Sequence, residues 1–301
     1  MKELLPDFLQ EKLFSQYGEE WYRKILTGYE EQRAVTLRVN TLKADGAYVT
    51  SCLEAAQISW RNVRWSREAL IAEHVREDAI RALPVYDQGM IYLQSLSSMI
   101  PPVLLNPQKG ECILDMAAAP GGKTTQMAAL SNNHAQITAC EKNKVRGERL
   151  KYNIEKQGAS CVYLMLEDAR KLDDFFSFDK ILLDAPCSGS GTLKLGAQGL
   201  NQKITQELVS RSSKTQEELL KKALKLLKPG HEMIYSTCSI LREENEDRVK
   251  RVLGRTAELV PISPDSLPDV PLLPVSLPGT VCVCPDSLYE GFFVAKIRKR
   301  Q

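Results

Sequence analysis

The chain has 301 residues, 43% hydrophobic and 26% charged, which is enough apolar material for a sizeable core. Its net charge of +2 excludes a basic coat for non-specific nucleic-acid binding, so any nucleic-acid contact must be local. No apolar run approaches the roughly 20 residues of a membrane span. The start, Met1–Asp7, carries acids and a proline where a signal peptide would be apolar, and we expect a cytoplasmic protein without membrane contact.

Cysteine and histidine do not follow metal-binding spacings. The eight cysteines include no CxxC pair, and the three histidines lie far apart in the sequence. In a reducing compartment most free cysteines are buried small hydrophobic residues, which is our expectation for Cys52, Cys112, Cys140 and Cys161. The sequence does not predict a structural metal site.

Residues 1–100 predict a small α+β domain. The patterns indicate a helix over Phe8–Leu26, a strand over Thr36–Asn40 and a second helix over Val49–Ala56. The segment Trp60–Arg67 interleaves aromatic residues with arginines. It fits equally a surface that stacks bases and binds phosphates, or a strand with core tryptophans and solvated arginines.

Residues 101–301 alternate short apolar runs with amphipathic stretches, which indicates βα units on a parallel sheet. The predicted strands are 112–116, 136–140, 162–166, 180–184 and 233–237, and the predicted helices are 123–130, 143–157, 206–227 and 243–253. Two further strands, 281–284 and 291–298, should close the sheet in antiparallel orientation. Seven of the fifteen prolines fall in 261–285, which predicts a long loop.

The turn after the first of these strands has the residues of a ligand loop. Small residues from Ala117 to Gly122 allow close approach of the backbone, and the helix that follows favours an anionic group. The ending Gly122-Lys123-Thr124 is typical of phosphate-binding loops, but the pattern needs glycine where Ala117 stands. Pro120 also removes a backbone donor, so a nucleotide hydrolase is disfavoured.

Two acids follow the next strands and favour a nucleoside ligand. Glu141 ends the second strand, where a carboxylate binds ribose hydroxyls in doubly wound folds. Asp168 follows the third strand, where it could accept a hydrogen bond from an adenine amino group. The alternative is that both are solvated loop acids. A dinucleotide is less expected, because no GxGxxG follows the first strand.

Cys187 and Cys238 end the fourth and fifth strands, and Asp184 lies beside the first of them. Thiolate attack at carbon 6 of a pyrimidine activates carbon 5 for methylation, and a carboxylic acid at ring N3 stabilises the developing charge. Exocyclic-amine methyltransferases carry an aromatic residue where Cys187 stands, which favours carbon as the target. Each cysteine could instead be a buried small residue. The residues alone do not choose between the two thiols as nucleophile.

With these motifs together, the chain resembles the NOL1/NOP2/Sun family of RNA cytosine-5 methyltransferases, particularly its bacterial rRNA enzymes. The resemblance covers about residues 90–298. Its motifs are the loop from Asp115 to Thr125, the turn Asp184–Gly189, and Ser236–Ser239 with the following Glu243, Glu244 and Asn245. It implies a Rossmann-like class I S-adenosylmethionine-dependent methyltransferase domain over 101–301 and an RNA-binding domain over 1–100.

The resemblance also implies a role for each site residue. The cofactor pocket for S-adenosyl-L-methionine would be lined by Ala117, Ala118, Ala119, Pro120, Gly121, Gly122 and Lys123. Glu141 would bind the ribose, Asp168 would lie beside the adenine, and Asp184 would contact the methionine end and the target base. Cys238 would be the nucleophile and Cys187 would assist breakdown of the adduct, with Lys123 also reaching the base.

The substrate implied is a cytosine in rRNA, with tRNA as the alternative, and we expect a monomer. A non-catalytic RNA-binding protein of ribosome assembly is the alternative of a different class. The presence of Lys123, Asp184, Cys187 and Cys238 together argues against a decayed active site.

Overall fold

The computed structural model describes residues 5–195 and 204–301, which form two sheets and the helices that pack on them. Within those ranges no helix is both long and apolar enough to cross a membrane.

The first sheet has four antiparallel strands in the order β2-β3-β1-β4. The elements of this part are α1 (Asp7–Glu30), β1 (Val35–Val39), α2 (Gly46–Ala55), β2 (Trp60–Val63), β3 (Ser66–Ala72), α3 (Glu77–Arg81), α4 (Pro84–Asp87) and β4 (Ile91–Leu93). Asp45 caps α2 by accepting a hydrogen bond from the Tyr48 backbone N–H, and Val49 and Leu53 are buried in the cluster that covers the sheet. Sequence reasoning found β1 and α2 but not β3 and β4.

The aromatic- and arginine-rich segment forms the β2–β3 hairpin. Trp65 is buried and donates its indole N–H to the Tyr289 hydroxyl at 2.9 Å. Arg61 is exposed and bonds to Glu73 at 3.0 Å. The segment is therefore a strand with solvated arginines, as one of the two interpretations expected, but only Trp65 is a core residue. Trp60 is partly exposed and donates its indole N–H to Glu54 at 3.3 Å.

The second sheet has nine strands in the order β11-β12-β13-β9-β8-β5-β6-β7, with β10 paired to β13. Its elements are α5 (Leu96–Leu105), β5 (Cys112–Asp115), α6 (Gly122–Leu130), β6 (Gln136–Cys140), α7 (Lys144–Gln157), β7 (Val162–Met165), β8 (Phe178–Asp184), α8 (Gln206–Leu226), β9 (Leu227–Thr237), α9 (Glu246–Val252), β10 (Ala257–Val260), β11 (Leu272–Leu273), β12 (Val281–Val283) and β13 (Phe292–Lys299). Strands β5 to β9 pair in parallel, and β13 joins β9 in antiparallel orientation. The predicted α/β architecture is confirmed.

Successive side chains of β8 point to opposite faces of the sheet, as in any β-strand. Leu182 packs in the layer with α5 and α6, whereas Ile181 and Leu183 pack in the layer with α8 and α9. All three are fully buried. The sheet is therefore covered on both faces, and its strand ends form the accessible edge.

Two details differ from the sequence prediction. Strand β9 begins at Leu227, directly after α8 and six residues before the predicted start at 233, and so includes the Lys228-Pro229-Gly230 sequence. Its pairing with β8 shifts register between Phe178 and Lys180, and an irregularity of this kind accommodates a proline in a strand. The proline-rich stretch 261–285 includes β11 and the whole of β12 rather than being only a loop.

Helix α1 packs against the second sheet rather than the first. Leu9, Leu13 and Ile25 are fully buried in the same cluster as the β8 and β9 side chains. The Tyr29 hydroxyl donates a 2.5 Å hydrogen bond to the Ser190 carbonyl. The division of the chain at residue 100 stays a prediction. Helix α1 nevertheless contributes to the core that lies under β8 and β9.

Candidate functional site

The predicted cofactor loop joins β5 to α6, and a buried carboxylate shapes it. Asp115 accepts a 2.7 Å hydrogen bond from the Thr124 hydroxyl and a 3.4 Å bond from the Ala117 backbone N–H. Burial raises the pKa of Asp115 to about 6. Gly121, at a φ of 110°, turns the chain into α6 in a conformation that favours glycine.

The first sheet is hydrogen-bonded to the helix that directly follows this loop. Arg38 of β1 is 2% exposed, and its Nη2 donates to the Thr125 hydroxyl at 3.2 Å. Thr125 in turn donates to the Gly121 carbonyl at 2.8 Å. The N-terminal sheet is thus connected to the cofactor loop through one hydroxyl group. Sequence reasoning missed this contact because Arg38 lies 87 residues from its partner.

A narrow cavity of about 40 Å³ brings the two predicted nucleoside-binding acids together. It is lined by Met116, Ala117, Glu141, Lys142, Arg146, Glu167, Asp168, Ala169, Arg170, Pro186, Thr215 and Leu219. Glu141 is 4% exposed, so it is not the solvated loop acid of the alternative interpretation. Half of these residues are charged, three acids and three bases, and the apolar ones are Met116, Ala117, Ala169, Pro186 and Leu219. Small-molecule sites usually measure about 300–1,000 Å³, so a nucleoside would enter this cavity only if its walls moved apart.

Each of these two carboxylates already has an arginine partner. Arg146 lies 3.4 Å from Glu141 and also donates to the Ala119 carbonyl. Arg170 lies 2.6 Å from Asp168 and lowers the pKa of that carboxyl by hydrogen bonding. A nucleoside in this cavity must share these carboxylates with the arginines or displace them.

A second cavity of about 210 Å³ lies on the other side of the loop, between the two sheets. Its lining consists of Tyr92, Leu93, Gln94, Ser95, Ser98, Asp115, Ala117, Ala118, Ala119, Pro120, Gly122, Lys123 and Asp184. The predicted loop residues and the predicted catalytic pair, Lys123 and Asp184, therefore face one space. Residues 92–98 were not predicted to contribute.

Lys123 and Asp184 form an ion pair, with Nζ 2.8 Å from Oδ2. Lys123 also donates to the Ser98 hydroxyl at 2.7 Å, and the Ser236 hydroxyl donates to the other Asp184 oxygen at 2.7 Å. These bonds fix both side chains in position. The sequence predicted the pair but gave no signal for Ser98, which comes from α5.

The two predicted catalytic thiols lie against each other. The Sγ atoms of Cys187 and Cys238 are 3.1 Å apart, and both side chains are partly exposed. They meet because β8 and β9 are parallel neighbours, paired from Lys180 to Asp184 without a break. The hydrogen bond that the Cys187 thiol shares with Cys238, together with burial, raises the pKa of Cys187.

A buried carboxyl group holds the turn that carries Cys187. Glu244 is fully buried and accepts a 2.7 Å bond from the Ser188 backbone N–H and a 2.6 Å bond from the Ser188 hydroxyl. Burial raises the pKa of Glu244. The amide of Gln216 donates to the Pro186 carbonyl at 2.9 Å, on the other side of Cys187. Because the flanking residues are anchored, the thiol has a defined position.

The segment after Cys187 packs tightly on β13. The Gly191 backbone N–H donates to the Cys238 carbonyl at 3.0 Å, and the Gly291 N–H donates to the Gly191 carbonyl at 2.8 Å. A Cβ on Gly191 would lie 1.9 Å from the Gly291 carbonyl oxygen. Only glycine therefore allows this approach.

The other cysteines lie outside this site. Cys140, Cys282 and Cys284 are buried, whereas Cys52, Cys112 and Cys161 are partly exposed rather than buried as expected. In the described part of the chain, no three His, Cys, Asp or Glu side chains are grouped so that they could hold a metal ion.

The parallel α/β sheet, with the loop, carboxylates and thiols at one edge, defines a Rossmann-like fold with a small N-terminal domain. A family model described as "16S rRNA methyltransferase RsmB/F" matches residues 102–298, and a ferredoxin-like domain model of the same family matches residues 5–76. The chain belongs to the RsmB/F family, which confirms the resemblance seen in its motifs.

Individual relatives agree with this assignment. The chain is 34% identical over 273 residues to ribosomal RNA small subunit methyltransferase F of Shewanella oneidensis. This match covers 88% of the present chain and 57% of the relative. The same protein of Shewanella baltica is 34% identical over 278 residues, covering 88% and 56%. The chain thus spans little more than half the length of these curated relatives.

Solved structures superpose over nearly the whole chain. A methyltransferase homologue from Pyrococcus horikoshii, 32% identical, gives a TM-score of 0.85 and covers 98% of this chain and 95% of that one. NSun6 from Pyrococcus horikoshii, solved with SFG, gives a TM-score of 0.87 with 98% coverage of both chains. At 24% identity, the second likeness is one of fold.

Proposed function

We propose that this protein is an S-adenosylmethionine-dependent RNA methyltransferase that methylates carbon 5 of a cytosine in 16S rRNA. The observation that carries the proposal is the pair of thiols, 3.1 Å apart, at the ends of neighbouring parallel strands. Asp184, two residues before Pro186, and Lys123 of the cofactor loop complete the site. The family membership supports a small-subunit rRNA substrate.

Two thiols suit carbon methylation because carbon 5 of cytosine needs activation. In the proposed mechanism the Cys238 thiolate bonds to carbon 6, which breaks the 5,6 double bond and makes carbon 5 nucleophilic. The assignment of the attack to Cys238 rests on the family resemblance. Cys187, in contact with Cys238, would lie near the same two ring carbons and assist the elimination that follows. In that step a base takes the carbon 5 proton, the 5,6 double bond re-forms and Cys238 leaves as the thiolate.

Lys123, and Asp184 when its carboxyl group donates a proton to ring N3, fit the negative charge that develops on the ring. Attack at carbon 6 places electron density on ring N3 and the carbonyl, where a hydrogen-bond donor or a cation stabilises it. Asp184 is oriented by Ser236, and Lys123 by Ser98, so neither needs to reorganise during the reaction. The target base must first leave its stack, at a cost of a few kcal/mol that is lowest in RNA loops.

The residues present fit the proposed cofactor. S-adenosylmethionine would supply the electrophilic methyl group. The narrow cavity would offer Glu141 and Asp168 to hydroxyl and amino groups, shared with Arg146 and Arg170, and Met116, Pro186 and Leu219 to a flat ring once its walls move apart. The loop from Ala117 to Gly122 leads from this cavity to the one with Lys123 and Asp184, and lines part of both.

The test is methyl transfer from isotopically labelled S-adenosylmethionine to unmodified 16S rRNA transcript, followed by nucleoside analysis. We expect the label in 5-methylcytidine, and loss of labelling in Cys238→Ser but not in Cys112→Ser. Cys112 is a suitable control because it lies at the start of β5, at the opposite end of the sheet. Label in another nucleoside would contradict the carbon 5 assignment. RNA binding without any transfer would favour a non-catalytic assembly protein.

A further inference from the structure

A polar groove of about 430 Å³ opens beside the catalytic cavity, between the two sheets. We call it the interdomain groove, and its lining is Gln32, Arg33, Ala34, Val35, Thr36, Val75, Arg76, Glu77, Leu93, Gln94, Ser95, Lys194, Leu288 and Glu290. Leu93, Gln94 and Ser95 line both spaces, so the groove adjoins the cavity that contains Lys123 and Asp184.

The groove contains three cations that have no carboxylate partner in the described part of the chain. Arg33, Arg76 and Lys194 form no ion pair with any residue of 5–195 and 204–301. Of the two acids in the lining, Glu77 is paired with Arg81 at 2.9 Å, which leaves Glu290 as the opposing charge. The groove therefore carries a positive excess, although the whole chain is almost neutral.

Arg33 shows most clearly that a partner is missing. Its Nε donates to the Tyr289 carbonyl at 3.1 Å, but Nη1 and Nη2 are shielded from solvent without a hydrogen-bond partner among the described residues. A guanidinium left unpaired in this way is costly, and an anion with two acceptor oxygens would satisfy both nitrogens after displacing the groups that shield them. Phosphate oxygens have this geometry.

The groove also extends to the segments that carry or position the proposed catalytic residues. Lys194 follows the turn of Cys187 by seven residues, and the next residue, Leu195, is fixed by a 2.8 Å backbone bond to Tyr29. On the other wall, the Glu290 carbonyl accepts a 2.7 Å bond from Ser97 of α5, the helix that positions Lys123. A polymer whose base enters the catalytic cavity would extend its backbone along this groove.

We propose that the interdomain groove binds the RNA phosphate backbone next to the target cytosine, with Arg33, Arg76 and Lys194 as the phosphate contacts. This inference rests on the proposed function and adds the path of the substrate. A polynucleotide fits better than an acidic peptide because the groove adjoins the cavity in which the base reacts. Cations that contact phosphates position the strand without reading its sequence.

The test measures binding, so it does not depend on methyl transfer. The probe is a fluorescein-labelled RNA hairpin with a single-stranded loop containing cytosine, and its affinity is measured by anisotropy over a series of salt concentrations. Variants are R76Q, K194Q, their double combination and R33Q, with R255Q as the matched control. Arg255 is exposed, precedes β10 and forms no ion pair with the described residues, and Arg76 and Lys194 are exposed as well.

We expect the slope of log affinity against log salt to become shallower by about 0.7 for each cation–phosphate pair that a variant removes. R33Q should weaken binding about tenfold, and R33K should restore part of it, whereas R255Q should equal the wild type.

A second probe with uncharged methylphosphonate linkages beside the loop cytosine should bind wild type and R33Q alike. Unchanged affinity and slope in R33Q and the double variant would overturn the groove assignment, even if methylation is observed. RNA binding that depends on the groove without methylation would instead overturn the proposed function alone.

Discussion

The Cys187 and Cys238 sulfur atoms lie 3.1 Å apart, although 51 residues separate them in the sequence. Their contact follows from the parallel pairing of β8 with β9, which brings both strand ends to one edge of the sheet. The proposed covalent mechanism depends on this contact.

The closeness of the two thiols makes them sensitive to oxidation. A disulfide requires the sulfurs to approach to about 2.05 Å, a movement of roughly 1 Å here. We expect hydrogen peroxide to take the hydrogen of each thiol, release water and link the sulfurs, with loss of two titratable thiols and of activity that dithiothreitol restores. The variant Cys187→Ser should lose no thiols in this way, and full retention of both thiols in the wild type would contradict the prediction.

The variant Lys123→Met should lower kcat about 100-fold, because it removes the cation beside Asp184 and leaves that carboxylate without its ion pair. Ser98→Ala removes only the hydrogen bond that positions Lys123, worth about 1 kcal/mol, so its kcat should fall less than about tenfold. Steady-state methyl transfer measures both. Lys109→Met, at an exposed site, is the control, and equal losses in Lys123→Met and Lys109→Met would refute a specific role.

Asp115 should make stability depend on pH with a definite sign. Its pKa is about 6 in the folded protein against 3.8 for the unfolded chain, so the folded state binds more protons between these values. The free energy of unfolding contributed by this group therefore falls as pH rises from about 4 to 7. Relative to Asp115→Asn, the wild type should lose roughly 3 kcal/mol over that range. Denaturant unfolding at several pH values measures the difference, and parallel curves for the two proteins would count against it.

Gly191→Ala should destabilise the protein by about 2–3 kcal/mol, because the new Cβ would overlap the Gly291 carbonyl oxygen. Gly46→Ala is the matched control, since Gly46 lies in the first turn of α2 with nothing within 4 Å of the added Cβ. It should leave stability unchanged or raise it slightly. Thermal unfolding distinguishes them, and equal melting temperatures would show that the close approach of the two glycines is not required.

The sequence predicted the parallel sheet well because β5 to β9 each contain a short apolar run, as a buried strand requires. The cofactor loop, Glu141 and the two thiols follow those strands directly, so their placement at one sheet edge could be inferred. In the structure Lys123 and Asp184 form an ion pair, and Glu141 and Asp168 line one cavity. The roles of these four residues stay predictions.

The parts that sequence reasoning missed depend on contacts between distant segments. Ser98 and Arg38 act through partners in α6, and nothing in their local pattern distinguishes them from ordinary surface or strand residues. Glu244 follows Cys238 closely, but its burial beneath Ser188 appears only when α9 and the Cys187 turn pack together. Glu141 and Asp168 were placed correctly, whereas their arginine partners were not foreseen.

The most direct test of the proposed mechanism is to trap the protein–RNA adduct in the two cysteine variants. Cys187→Ser keeps the proposed nucleophile and loses the group that assists release, so denaturing electrophoresis with labelled 16S rRNA and S-adenosylmethionine should show a covalent complex. Cys238→Ser should show none. A complex that forms with Cys238→Ser and not with Cys187→Ser would contradict the assignment of Cys238 as the attacking thiol.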